Sequence, residues 1–128
     1  MGKASFVSLL DKCRELVLAK ENLIVESAFR KSDGAVLKSI FKGYKIIHVN
    51  CRTSNKMTIA RFEQRALSGE RHHGHLDTDN VQELSSFLNA GIFELKIAGA
   101  IRIDVCTSDF DSQLYSEAKG RVLEEYAN

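Results

Sequence analysis

The chain has 128 residues, of which 44% are hydrophobic and 27% charged, a balance that suits one globular domain spanning residues 1–128 with a real core. Its formal net charge is +1, so overall charge excludes neither solubility nor compactness but argues against nucleic acid or a membrane surface as partner. No apolar run approaches the roughly 20 residues that cross a bilayer, and the N-terminal residues lack the apolar core of a signal peptide.

Cys13, Cys51 and Cys106 form no C-x-x-C pair and are odd in number. Each lies in an apolar stretch, so all three are expected as buried thiols, which fits a reducing compartment such as the cytoplasm.

In chain order, residues 4–20 read as an amphipathic helix. Phe6, Leu9, Leu10, Cys13, Leu16 and Val17 fall on one face of 3.6 period. Residues 22–29 read as a strand, and the run Leu23-Ile24-Val25 predicts burial on both faces, as in a parallel sheet. Ser32 or Asp33 can cap a short helix over 34–42, with Val36, Leu37, Ile40 and Phe41 inward and Gly43 ending it. Residues 45–51 form a second strand of the buried type. Ser54 or Asn55 opens a helix that reaches Leu67, with Ile59, Phe62 and Ala66 inward.

After a polar loop from Glu70 to Thr78, Asp79 and Gln82 resemble a capping box for a helix through Asn89, which Gly91 ends. Residues 92–97 are a candidate edge strand, 100–106 a further strand and 111–126 a last helix. Strands alternating with helices predict an α/β domain with a parallel sheet, whose ligands collect at the carboxyl ends of the strands. Those ends are Ser27–Lys31, Cys51–Asn55 and Thr107–Phe110.

Basic residues cluster in one place: Arg61, Arg65, Arg71, His72, His73 and His75, against Glu63 and Glu70. Arg61 and Arg65 are four apart and share a helix face. Guanidinium forks match phosphate oxygens, so a helix and loop carrying several of them can close over a polyphosphate. A solvated charged face is the simpler alternative. A metal site from His72, His73, His75 and Asp77 is a third, against which adjacent His72 and His73 tend to point apart.

The run Arg61-Phe62-Glu63-Gln64-Arg65-Ala66-Leu67-Ser68-Gly69-Glu70-Arg71-His72-His73-Gly74-His75-Leu76-Asp77 resembles the lid of bacterial P-loop ATP-binding kinases related to chloramphenicol phosphotransferase and zeta toxin. That lid pairs an R-F-x-x-R helix with S-G-x-R-H-P-G-H; His73 stands at the usual proline. Leu23–Phe29 resembles the family's V-x-L-E-G-N-F strand, with Ala28 at the usual asparagine. Ile46–Arg52 resembles the strand before the lid, and Ile101–Phe110 the last strand with its D-x-T-x-D-F ending.

The resemblance implies a P-loop kinase-like sheet with a helical lid over about 54–78, ATP and Mg²⁺ as cofactors, and a phosphotransferase activity. It implies Arg61, Arg65 and Arg71 as the catalytic residues that close on phosphates. It implies Thr107, Asp109 and Phe110 beside the adenine, and Glu26 toward substrate, although a capping or buried role suits Glu26 equally. The motif G-x-x-x-x-G-K-[ST], whose backbone and Lys hold the phosphates and whose Ser/Thr holds Mg²⁺, is not among these residues. Two readings follow: a kinase portion inactive by itself, or a non-catalytic interaction module. The family's phosphate-loop strand lies between the strands resembling 23–29 and 45–51. Without it, those two strands are expected to pair directly, to form a homodimer, or to receive a strand from a separate N-terminal half.

Overall fold

A computed structural model describes residues 3–68, 79–109 and 111–128, with the backbone alone at 79 and 80. Among these residues five α-helices and two strands follow in the order α1 (Lys3–Leu18), α2 (Gly34–Ile40), β1 (Ile47–Arg52), α3 (Asn55–Leu67), α4 (Asp79–Asn89), β2 (Ile101–Cys106) and α5 (Ser112–Ala127). The domain is α/β, and β1 and β2 pair in parallel. No helix among the described residues is long and apolar enough to cross a membrane.

The helical periodicity is realised closely. In α1, Leu10 and Cys13 are buried and Phe6, Leu9, Leu16 and Val17 half-buried. The α1 face meets Leu37 of α2 and Leu95 of the segment before β2. Phe29, Val36, Ile40, Phe41 and Ile97 close around that centre. Phe6 and Phe29 meet edge to face with ring centroids 6.3 Å apart. Each such buried leucine contributes about 1.5–3 kcal/mol relative to exposure, so this cluster anchors the N-terminal third of the chain.

α2 departs from the expected cap. A single 3₁₀ turn, Lys31–Asp33, runs straight into it, and the Asp33 carboxylate accepts the Arg30 N–H at 2.6 Å. Asp33 therefore fastens the preceding turn and makes no side-chain cap bond to α2. Gly34 is required here, because a Cβ would overlap the Lys96 carbonyl oxygen.

Residues 22–29, expected as a buried strand, join no ladder. The segment keeps the alternation of a strand: Leu23, Val25, Ser27 and Phe29 are half-buried, while Ile24, Glu26, Ala28 and Arg30 are exposed. Ile24 is 101% exposed. A strand exists by its neighbours, and pattern alone does not supply one. Nor do residues 23–25 pair with 46–49: β1 takes β2 instead.

Residues 92–97 are likewise not an edge strand. Gly91 adopts φ +67°, Glu94 N–H bonds to Gly91 O and Leu95 N–H to Phe93 O, so turns consume the backbone while Leu95 still reaches the core.

In the sheet, Ile47, Val49 and Cys51 pair with Ile101, Ile103 and Val105, giving one apolar face; His48, Asn50 and Arg52 pair with Arg102, Asp104 and Cys106, giving a polar one. Burial on both faces was expected for residues 45–51. Instead Ile103 and Val105 are buried in β2, while Val49 and Cys51 of β1 are exposed. On the polar face Asn50 Nδ2 donates to Asp104 Oδ1 at 2.8 Å and Arg102 Nε to the same oxygen at 3.0 Å. Those hydrogen bonds hold the Asp104 carboxyl below the usual range. Burial, then the Arg102 charge, lowers His48, with Asp104 opposing.

The expectation of three buried thiols holds only for Cys13; Cys51 and Cys106 are exposed, because the sheet is covered on fewer sides than a central parallel pair would be. α3 packs on α4, and α5 returns across both strands.

Candidate functional site

Both strands run out in Thr-Ser: Thr53-Ser54 after β1 and Thr107-Ser108 after β2. Thr107 extends the ladder by one residue, its N–H donating to Arg52 O at 2.8 Å and its hydroxyl to the same oxygen at 3.3 Å. Its side chain is the buried polar one of this region. Ser54 stays extended and caps α3, its Oγ accepting Met57 N–H at 3.2 Å. The N-terminus of α3, with its unsatisfied N–H groups and positive dipole end, thus opens at the carboxyl ends of the parallel pair.

Hydroxyls link the two turns. Thr53 Oγ1 and Ser108 Oγ lie 2.9 Å apart, Thr53 Oγ1 also donates to Met57 Sδ at 3.2 Å, and Cys106 Sγ donates to Ser108 Oγ at 3.3 Å. A hydroxyl has one proton. With Thr53 donating to sulfur, Ser108 must donate to Thr53, and the order runs Cys106 to Ser108 to Thr53 to Met57. Once the thiol is deprotonated the Ser108 hydroxyl and backbone turn to donate to Sγ instead, which draws the Cys106 thiol below its ordinary value, with Arg52 aiding.

Arg61 closes the site from α3. Its Nη2 donates to Thr107 O at 2.6 Å and to Ser108 O at 3.0 Å. One turn further along, Gln64, Arg65 and Ser68 join Arg61 around a shallow cleft of about 270 Å³. Arg65 is exposed and has no ion-pair partner among the described residues.

Of the residues singled out from sequence, Arg61 and Thr107 are joined directly and Arg65 shares the cleft. Asp109 lies exposed on the turn after β2. Glu26 is exposed on the unpaired 22–29 segment, and among the described residues no hydrogen bond or ion pair joins it to Arg61, Arg65, Thr107 or Asp109. Arg71, Phe110, His72, His73, His75 and Asp77 lie outside the described residues. Thr53 and Ser108 fall within the strand ends 51–55 and 107–110 where ligands were expected, and Gln64 within the lid-like run, but none of the three carried a role of its own. The paired Thr-Ser endings were the signal available for two of them.

The side chains that line the cleft, Arg61, Gln64, Arg65 and Ser68, carry guanidinium, amide and hydroxyl donors, all able to bond phosphate oxygens. Among the described residues no group of three His, Cys, Asp or Glu side chains could hold a metal ion. No family model, curated protein or solved structure matches the chain.

Proposed function

We propose that this chain binds the phosphate groups of a nucleotide, ATP in the first instance, as the arginine-bearing portion of a phosphotransferase of the P-loop kinase kind. The observation that carries the reading is the Arg61–Arg65 pair on α3. Arg61 straps the helix to the end of β2, and Arg65, one turn on, is exposed and lines the cleft. In this reading Arg65 contacts phosphate, while Arg61 positions the helix. Thr107 is a backbone anchor for Arg61, and Asp109 borders the base. The phosphate-loop motif that would supply the remaining phosphate contacts is not among the 128 residues, so no transfer step is assigned to this chain alone.

Calorimetry with ATP, with and without Mg²⁺, tests the proposal. Expected is weak binding that Arg65→Ala reduces about tenfold, roughly one charge-assisted contact. Absence of binding, or binding indifferent to Arg65→Ala, overturns it. A second reading, an interaction module without chemistry, is favoured by the extended and ladder-free segment 22–29. It gains if nucleotide does not bind.

A further inference from the structure

In a parallel ladder, alternate residues of each strand turn both backbone groups toward the partner. Ile101 N–H bonds to Ile46 O and Thr107 N–H to Arg52 O, so the even-numbered residues of β1 face β2. Ile47, Val49 and Cys51 therefore aim their N–H and C=O groups away from the sheet. Two groups on each of three residues make six, and no backbone bond within the described residues uses any of them.

The opposite edge is covered at one point. Arg121, from α5, donates to Asp104 O at 3.2 Å, an outward-facing carbonyl of β2. Among the described residues no side-chain hydrogen bond reaches an outward group of β1, where Val49 is 41% exposed and Cys51 is exposed too. A long unguarded edge of this kind is a template for another strand.

We infer that the outer edge of β1 pairs antiparallel with β1 of a second copy of this chain, about a twofold axis through Val49. That register opposes Val49 to Val49 and Ile47 to Cys51 of the second copy, and satisfies all six outward groups at once. It places apolar side chains against each other on one face and His48 against Asn50 on the other. Lys45 then opposes Thr53 and Arg52 opposes Ile46, so no like charges meet. Moving the axis to residue 48 sets His48 against its own copy, and moving it to residue 50 leaves Ile47 opposite a polar Thr53. A C2 contact of this kind is isologous, and the result is a continuous four-stranded sheet in the order β2-β1-β1-β2. The inference does not depend on nucleotide binding.

Sedimentation across a concentration series is the test, with two variants of the full chain. The wild type sediments as a dimer that dissociates on dilution. Val49→Lys puts two ammonium groups together at the axis and raises the dissociation constant at least tenfold, with an unchanged far-ultraviolet circular dichroism spectrum. Ile47→Cys brings a thiol opposite Cys51 of the second copy, at a Cα spacing of about 5.5 Å that a disulfide spans. Mild oxidation then links two chains, and adding Cys51→Ser abolishes the link. A wild type that stays monomeric, a dimer that survives Val49→Lys, or an Ile47→Cys chain that does not link through Cys51 overturns the proposal.

Discussion

Arg61 and Thr107 stand 46 residues apart in the sequence and meet through one hydrogen bond of 2.6 Å, from guanidinium to backbone carbonyl. The same nitrogen reaches the Ser108 carbonyl. A charged donor shared by two main-chain acceptors fixes α3 against the end of β2, so the helix that carries Arg65 is held by the sheet it overhangs.

Arg61→Ala is expected to destabilise the fold by about 1–3 kcal/mol, the usual range for hydrogen bonds to a charged group. Arg61→Lys keeps the charge but not the fork and should recover only part of this. Urea unfolding measures both. An Arg61→Ala chain as stable as the wild type shows that the strap carries no energy.

Leu37 is 3% exposed at the centre of the helical cluster. Leu37→Ala should cost about 2–5 kcal/mol from lost burial and residual cavity. Gly34→Ala should also destabilise, by about 1–3 kcal/mol, because the new methyl displaces the Lys96 carbonyl and backbone does not yield as a side chain would. Denaturant midpoints compared at constant slope give both values.

Thiol reactivity should rank Cys106 above Cys51 and Cys51 above Cys13. Cys106 is exposed and its thiolate is favoured by Ser108 and Arg52; Cys13 is buried and burial pushes its thiol up. Timed alkylation followed by peptide mass spectrometry reads the order. Ser108→Ala should slow Cys106 alone, and equal slowing of Cys51 would contradict the assignment.

His48 titrates below its ordinary value in the fold, mainly through burial and then through Arg102. Below an unfolded pKa of about 6.5 the unfolded chain therefore binds the extra proton first. The stability His48 contributes is complete above that value and is lost as pH falls through it toward the lower folded pKa. His48→Gln should flatten the dependence of melting temperature on pH in this window. An NMR titration of the His48 ring that gives an unshifted or raised pKa refutes the account.

The purified 128-residue chain should release no phosphate from ATP above background, since the backbone cradle, lysine and hydroxyl of a phosphate loop are not among its residues. A steady rate of phosphate release that survives further purification would refute this.

Helices were legible in the sequence because their evidence is local. Six apolar positions in α1 and the Ser54 cap of α3 each specify the element within a few residues. The strands at 47–52 and 101–106 were legible too, as β-branched runs. What failed was every inference that needed to know a neighbour. Leu23-Ile24-Val25 has the composition of a central strand, but composition cannot say whether another strand arrives beside it. Phe93, Leu95 and Ile97 alternate like a strand while Gly91 commits the backbone to turns.

At the site, the spacing of Arg61 and Arg65 predicted a shared face. It did not disclose that Arg61 would turn to main-chain carbonyls, because its acceptors come from a distant turn. The exposure of Cys51 and Cys106 depended in the same way on how little covers the sheet.

The parallel ladder between β1 and β2 also governs when the molecule can assemble. Asn50 and Asp104, register partners, stand 54 residues apart, and both α3 and α4 lie between them. α1 and α2, by contrast, meet across a short connection and can collapse as soon as both exist. During synthesis β1 emerges well before β2, its ladder partner within the chain, and must wait for it with both edges bare. Closing so long a loop comes before any ladder bond can repay it, which makes the sheet the slow step of folding and the waiting strand the point at which the nascent chain is most open to misassembly.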